Sequence, residues 1–474
     1  MSWTKLIHRT LIATLGITGT LFSQMPDGTA IVGTATFPGF PGVPGLFIVN
    51  GQGAPTPVTG LPVELTTDGN GAFVQGAWSV ARRSSDGALI VGSITDPSGP
   101  TAGVLKVYVF HLDANGAVIG NLTQIVDLGT ATTAATALVS VLPDDRILVF
   151  AGQNGGTLPS GAMAGTSRAI IDTSGPVPQL TPLPAGAFHA GQAWGGFALG
   201  PSGEFAYVLF VDNFPGSAGA GHSELWRIEN SSSQECLIAS WPGERAFGIE
   251  CDDDGTVFVS SSNPTLAQHL VHTIVPDGCN PAGDTSVVTA SNLTAWGLGL
   301  DRAGGRFIAV GEEGTVSLID RSSGARTIVA TPPQSGWGLL GQSAIVVNNV
   351  MESYGKPSDG LNHYWFENFP NPGGTPAIGS ATFSFTVRSS PGVPFSSLLI
   401  LGHHRASVPM ANIELLVDAT NMVTKELPVG TSVTEVIAIP NQPGLRAIEF
   451  VFQTVHVESN GGLACSRGLT LVVQ

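Results

Sequence analysis

Short apolar runs that break at a tight polar turn and resume as β-branched runs recur along the first three-quarters of this chain. The clearest copies are AWSVARRSSDG (77–87), AWGGFALGPSG (193–203), AFGIECDDDG (246–255) and AWGLGLDRAG (295–304). Weaker copies are TLFSQMPDG (20–28), ALVSVLPDDR (137–146) and a shortened GWGLLGQSAIVV (336–347). The turn residues Gly28, Gly87, Asp145, Gly203, Gly255 and Gly304 lie 59, 58, 58, 52 and 49 positions apart. Each turn leads into a second strand, such as Ala88–Ser93 or Phe205–Val211, and then an alternating third, such as Leu105–Phe110 or Glu224–Ile228. A fourth strand follows at Thr123–Asp127, Glu235–Ser240, Ser286–Ala290 and Arg326–Ala330. Two antiparallel hairpins repeated at a period of roughly 50 residues are the signature of propeller blades. Seven inner hairpins but six outer pairs favour six blades with shared closure over seven. The surplus GWGLLG strand then replaces the inner strand near Thr20.

After Val347 the texture changes. Residues 351–376 are rich in Pro, Gly and Asn around Tyr364, Trp365, Phe366 and Phe369, and read as a linker. Evenly spaced strands follow at Ala381–Val387, Ser397–Leu401, Ile413–Val417, Val433–Ile439, Ala447–Val455 and Leu469–Val473. Phe383, Phe385 and Val387 alternate with Ser384 and Thr386, which gives one buried face and a small antiparallel β-sandwich. The expected fold class is therefore all-β, a six-bladed or seven-bladed propeller with a C-terminal sandwich. The expected layout is a signal peptide at 1–23, the propeller at 24–350, the linker at 351–376 and the sandwich at 377–474.

Composition agrees with many turns and argues against disorder: 62 glycines and 33 prolines accompany 42% hydrophobic and only 11% charged residues. The net charge is −16, and the longest basic cluster is Arg82–Arg83, which excludes a phosphate-binding surface and hence nucleic acid. Lys5, His8 and Arg9 precede an uncharged apolar stretch from Thr10 to Phe22, the layout of a secretory signal cut near Ser23 or Gln24. No other stretch is long and apolar enough for a transmembrane helix, so the mature chain is expected to be secreted or at the cell surface. Four cysteines suit an exported chain with a disulfide; either Cys236 or Cys251 can pair with Cys279.

Aromatic residues recur at the head of the inner strand as Trp78, Trp194, Phe247, Trp296 and Trp337. They either ring a central pocket and stack on a ligand or fill the wedge between blades, and periodic residues in repeats are core more often than platform. His189 and His222 fall where they can approach one rim, and with the aromatics they make up the candidate ligand-binding set. Asp252, Asp253 and Asp254 are adjacent acids in a turn without calcium-loop spacing. His269 and His272 lie three apart on a strand, face opposite sides and cannot share a metal. His403 and His404 read as a solvated turn. No nucleophile elbow, HExxH or phosphate-cradling loop occurs, so no catalytic residue, metal site or cofactor is assigned.

Phe247-Gly248-Ile249 through Gly255, and Trp296-Gly297-Leu298 through Gly304, resemble the units of bacterial NHL-like and lactonase-type propellers over roughly residues 20–350. That resemblance implies a divalent metal in the pore, held by one glutamate with asparagine and aspartate partners. The inner strands here carry Trp78, Ala137 and Trp194, with no acid or amide at a consistent place. The remainder resembles a C-terminal module of exported bacterial proteins, through Tyr354-Gly355, PGVP (391–394), LLILG (398–402), PNQPGL (440–445), Phe452-Gln453 and GGLACSRGL (461–469). It implies an extracytoplasmic location. Members often carry a cysteine soon after Tyr-Gly, where Lys356 and Pro357 stand here, which implies a Cys465 without its usual partner.

The leading expectation is an exported, non-enzymatic binding or scaffolding protein with a protein or carbohydrate ligand and an envelope association. The alternatives are a lactonase-like, metal-dependent propeller hydrolase or lyase, and a structural envelope component.

Overall fold

The computed structural model describes residues 30–36, 43–49, 55–66, 74–83, 85–99, 102–113, 115–153, 167–184, 192–212, 221–232, 234–263, 268–279, 284–291, 295–301, 306–311, 315–331, 339–346, 351–355, 357, 363–367, 376–390, 394–410, 413–445, 448–458 and 460–473. Two compact units emerge, one of Gly28–Leu300 with Arg306–Val347, the other containing Asn348–Gln474.

In the larger unit the strands fall into antiparallel groups. The first holds β1 (Ala30–Thr36), β2 (Gly45–Val49) and β3 (Thr56–Pro57). The second holds β4 (Gln75–Arg82), β5 (Leu89–Thr95), β6 (Val104–Phe110) and β7 (Gln124–Thr130). The third holds β8 (Ala135–Val141), β9 (Ile147–Gln153), β10 (Arg168–Asp172) and β11 (Gln179–Pro182). The fourth holds β12 (Gln192–Leu199), β13 (Phe205–Asp212), β14 (His222–Glu229) and β15 (Glu235–Pro242). The fifth holds β16 (Arg245–Cys251), β17 (Val257–Asn263), β18 (Gln268–Ile274) and β19 (Asp284–Ser291). The sixth holds β20 (Ala295–Asp301), β21 (Arg306–Gly311), β22 (Val316–Asp320) and β23 (Arg326–Ala330). A last strand, β24 (Leu339–Val346), returns to the first group and pairs antiparallel with β1, Ala30 opposite Val346 and Val32 opposite Ala344. It also bridges in parallel to β20 at Leu298 and Ser343. The surplus strand of the sequence thus completes a four-stranded first group, and Ala344–Val346 finds its partner there. The inner hairpin expected near Thr20 lies outside the described residues.

The first turns follow one rule. Gly87, Asp145, Gly203 and Gly255 have φ of 73°, 67°, 73° and 85°, the left-handed region the hairpins need. Neighbouring groups are joined by apolar seams. Ile90 and Val107 meet Val139 and Val149 between groups two and three, and Leu225 meets Ile249 and Val259 between four and five. Phe258 meets Leu298 and Phe307 between five and six, and Ile308 and Val316 meet Val32 and Phe47 between six and one. Groups one and two are joined by hydrogen bonding of β1 to β4, with Ala35 opposite Gly76. The succession therefore returns to its start, which gives an all-β, propeller-like arrangement. Inner strands approach so closely that a Cβ at Gly92 would lie 2.1 Å from the Ala137 carbonyl oxygen.

Two fasteners reinforce particular seams. Arg168, 1% exposed, donates from Nη1 to the Glu229 carbonyl (2.7 Å) and from Nη2 to those of Pro184 (2.7 Å) and Ser232 (2.8 Å), tying group three to group four. Cys236 at the start of β15 is disulfide-bonded to Cys279 beyond β18, across the seam of groups four and five, with Cα atoms 5.6 Å apart. Of the two pairings the sequence leaves open, this is the one formed; Cys251 and Cys465 are buried and form no disulfide.

The smaller unit stacks two sheets. One is ordered β25 (Met351–Tyr354), β35 (Gly468–Val472), β33 (Glu449–Val457), β28 (Phe395–Gly402) and β31 (Val423–Gly430), with β34 (Leu463–Cys465) on β33. The other is β26 (His363–Glu367), β27 (Ser384–Ser390) and β32 (Ser432–Val436). Tyr364, Phe366, Phe385, Leu399 and Phe452 fill the space between them. Residues 351–354 and 363–367, read from sequence as part of a linker, contribute strands instead: Tyr364 and Phe366 supply that core, and Tyr354 packs with Ile400, Leu416 and Val451 in a separate cluster. A hairpin of β29 (Arg405–Met410) and β30 (Ile413–Val417) covers part of the larger sheet's outer face, where Leu415 and Val417 meet Ile400 and Val451.

Candidate functional site

Two inner-strand aromatics can be followed to their surroundings. Trp78 on β4 and Phe247 on β16 are fully buried. Both join a cluster with Ala35, Leu138, Phe150 and Phe210, so that side chains from groups one to five meet in one apolar mass. Alternation on each inner strand, combined with the cyclic succession of groups, brings these residues together. Trp194 lies on β12 with its backbone opposite Phe210, and Trp296 lies on β20. His189 and Trp337 lie outside the described residues.

The richest polar chemistry sits where β15 turns into β16. Glu244 occupies that turn. Its carbonyl accepts from Ser223 Oγ on β14 (2.9 Å), and Ser223 Oγ in turn accepts from the Ala246 amide (2.9 Å). Its carboxylate Oε2 accepts from Ser261 Oγ on β17 (2.7 Å) and stands 2.7 Å from His272 Nε2 on β18. Ser261 Oγ is 3.0 Å from the same ring nitrogen, and the His272 ring lies 4.8 Å from that of Trp241. His272 is 3% exposed. Beside this cluster His222 Nε2 is 3.1 Å from Glu224 Oε1 and 3.2 Å from Ser240 Oγ, and Trp226 Nε1 donates to Glu224 Oε2 (2.9 Å). Of the sequence-chosen residues, His222 is thus the one placed in a half-buried polar corner.

A serine, a histidine and a carboxylate invite comparison with a nucleophilic relay. In such a relay the acid orients Nδ1 while the hydroxyl faces Nε2. Here acid and hydroxyl crowd Nε2 together, and the hydroxyl donates directly to the acid. The geometry holds the turn between groups four and five; it does not prepare a nucleophile. His269, on the opposite face of β18, is fully buried, and neither ring nitrogen has a hydrogen-bond partner among the described residues. Burial first, then the Arg326 guanidinium of group six and His272, pull its imidazole down to about 4. The two histidines do face opposite ways. Glu244 was missed from sequence, and its one signal was the Pro242-Gly243 turn that delivers it back toward the next sheet.

Asp252 lies 3.3 Å from Arg321 Nη1, and Arg321 also packs over the Phe258 ring at 4.6 Å, so the acidic turn is partly neutralised. Among the described residues no three His, Cys, Asp or Glu side chains converge to hold a metal ion.

No family model matches the chain, and no curated protein matches it. Solved structures similar to it include puromycin hydrolase, at 14% identity and a TM-score of 0.38, covering 79% of this chain and 54% of that one. A protein assigned as a 6-phosphogluconolactonase from Bacteroides fragilis is 13% identical with a TM-score of 0.34, covering 67% of this chain and 96% of that one. The chain spans about half the length of puromycin hydrolase. Identities this low concern the arrangement of strands and nothing finer.

Proposed function

We propose that this chain is an exported, non-enzymatic binding or scaffolding protein. Residues 1–23 act as its signal peptide. A six-bladed ring at 24–350 presents one rim to a protein or carbohydrate partner, and the sandwich serves surface display or assembly. The observation that carries this reading is the burial of Trp78 and Phe247 in an apolar mass with Phe150 and Phe210, where these inner-strand aromatics serve as core. The Cys236–Cys279 bridge supports an oxidising compartment. In this reading Trp78, Trp194, Phe247, Trp296 and Trp337 set the shape of the ring, and His189 and His222 belong to the rim that meets the partner.

The test is elemental analysis of the purified mature protein together with a turnover assay on a panel of lactones. The expected result is no stoichiometric metal and no turnover. A stoichiometric divalent metal accompanied by lactone hydrolysis would overturn the proposal in favour of a propeller hydrolase.

A further inference from the structure

The fifth group carries a buried histidine on each of its faces, and the two meet opposite surroundings. His272 faces group four and has the Glu244 carboxylate 2.7 Å from its Nε2. His269 faces group six. Among the described residues the charged groups acting on it are Arg326, from β23, and His272 on its own strand. Ser262 of β17 and Ala290 of β19 stand directly opposite it in the sheet. Across the seam Ser317 and Thr315 are occupied by Arg326, accepting from Nε at 2.9 Å and from Nη2 at 3.2 Å.

We infer that protonation of His269 opens the ring at the seam between groups five and six, while the seam between groups four and five stays shut. A charge on His269 would be buried beside a guanidinium, and among the described residues no carboxylate acts on it. Separating the two groups lets water solvate that charge, so the proton binds the opened form more tightly. A charge on His272 instead completes an ion pair with Glu244 at a seam already closed by the Cys236–Cys279 disulfide. The asymmetry of the two faces therefore fixes where the ring yields.

The magnitude follows from linkage. A group held at about 4 when closed and near its ordinary 6.5 when open raises the opening constant roughly 30-fold between pH 7.5 and pH 5. The experiment is hydroxyl-radical footprinting of the full chain at those two pH values. Phe258 and Phe307, whose rings meet across the five–six seam at 5.0 Å, should gain oxidation at pH 5. Tyr207 and Trp241, in the four–five seam, should not. In His269→Gln, whose side chain stays neutral, the gain should vanish. Equal gains at both seams, no gain at either, or an unchanged gain in the variant would overturn the inference. Should the variant fail to fold, C2–H hydrogen exchange of His269 in the wild-type chain decides: a titration midpoint below 5 is expected, and one at 6.5 or above sinks the idea.

Discussion

Breaking the Cys236–Cys279 bridge should produce a stability loss whose size can be worked from the chain. The bridge closes a loop of 43 residues. Cross-linking removes conformational freedom from the unfolded chain in proportion to the logarithm of that length, which at 25 °C gives about 4 kcal/mol. At a urea dependence of about 3 kcal/mol per molar the midpoint would fall by roughly 1.3 M, and less if a chain of this size has a steeper dependence. The assay is urea unfolding of the full chain, followed by tryptophan fluorescence, for the parent, for Cys236→Ser/Cys279→Ser, and for Cys251→Ala. Reductant should lower the parent to the level of the double variant and leave the double variant unmoved. Cys251→Ala deletes one buried sulfur from the apolar seam of groups four and five and should cost about 1 kcal/mol, with or without reductant. A parent indifferent to reductant, or a Cys251 variant that abolishes its response, would refute both the pairing and the reasoning.

Arg168→Met should cost about 3 kcal/mol, since three carbonyl groups lose a charge-assisted partner while the desolvation of one cation is recovered. Arg168→Lys should fall between, because one ammonium lacks the fork that reaches Pro184 and Ser232 together, and differential scanning calorimetry ranks the three proteins. In the smaller unit His456 is fully buried, stacked on Tyr364 at 3.7 Å, and burial pulls it down to about 3. Its unfolded imidazole binds protons first as pH falls, so its contribution is whole above pH 6.5 and drains away toward pH 3. That amounts to about 2 kcal/mol by pH 5, and His456→Gln should flatten the acid limb of a stability–pH curve. Gln453→Leu should loosen the β29–β30 hairpin by 2–3 kcal/mol, on the order of two buried hydrogen bonds and an orphaned carbonyl, read as faster amide exchange in residues 413–417.

The larger unit was legible because its information is local and repeated. Each turn needs one residue tolerant of positive φ after an apolar run, and Gly87, Asp145, Gly203 and Gly255 announce that need in letters. What stayed hidden was set by partners distant in sequence. Nothing near Arg168 says that a guanidinium will be buried against carbonyls 61 and 64 residues away. Nothing near Glu244 says that its turn will meet His272, 28 residues on. Cys236 and Cys251 were equivalent as letters; strand direction decided between them, because β15 begins beside the residue that follows β18.

The landmarks of the smaller unit show how a pattern without chemistry can still have a physical reason. Tyr354 donates its hydroxyl to the Leu416 carbonyl at 2.5 Å, and Arg467 Nε donates to the Gly355 carbonyl at 3.0 Å. Gln453 accepts from the Leu416 amide (2.9 Å) and donates to the carbonyls of Glu414 (2.8 Å) and Ser466 (3.2 Å). Cys465 Sγ lies 3.7 Å from the Glu414 carbonyl oxygen. Residues from three separated motifs therefore converge on one stretch of backbone, 414–416, and clamp the β29–β30 hairpin onto a sheet whose other face is already committed to the core. A buried amide such as Gln453 is costly unless every polar atom is matched, and here its oxygen and nitrogen both are. Cys465 joins the clamp through its contact with the Glu414 carbonyl and forms no disulfide. What the motifs encode in this chain is the placement of a hairpin, and the exposed β29 edge with Val408 and Met410 is what that placement turns toward solvent.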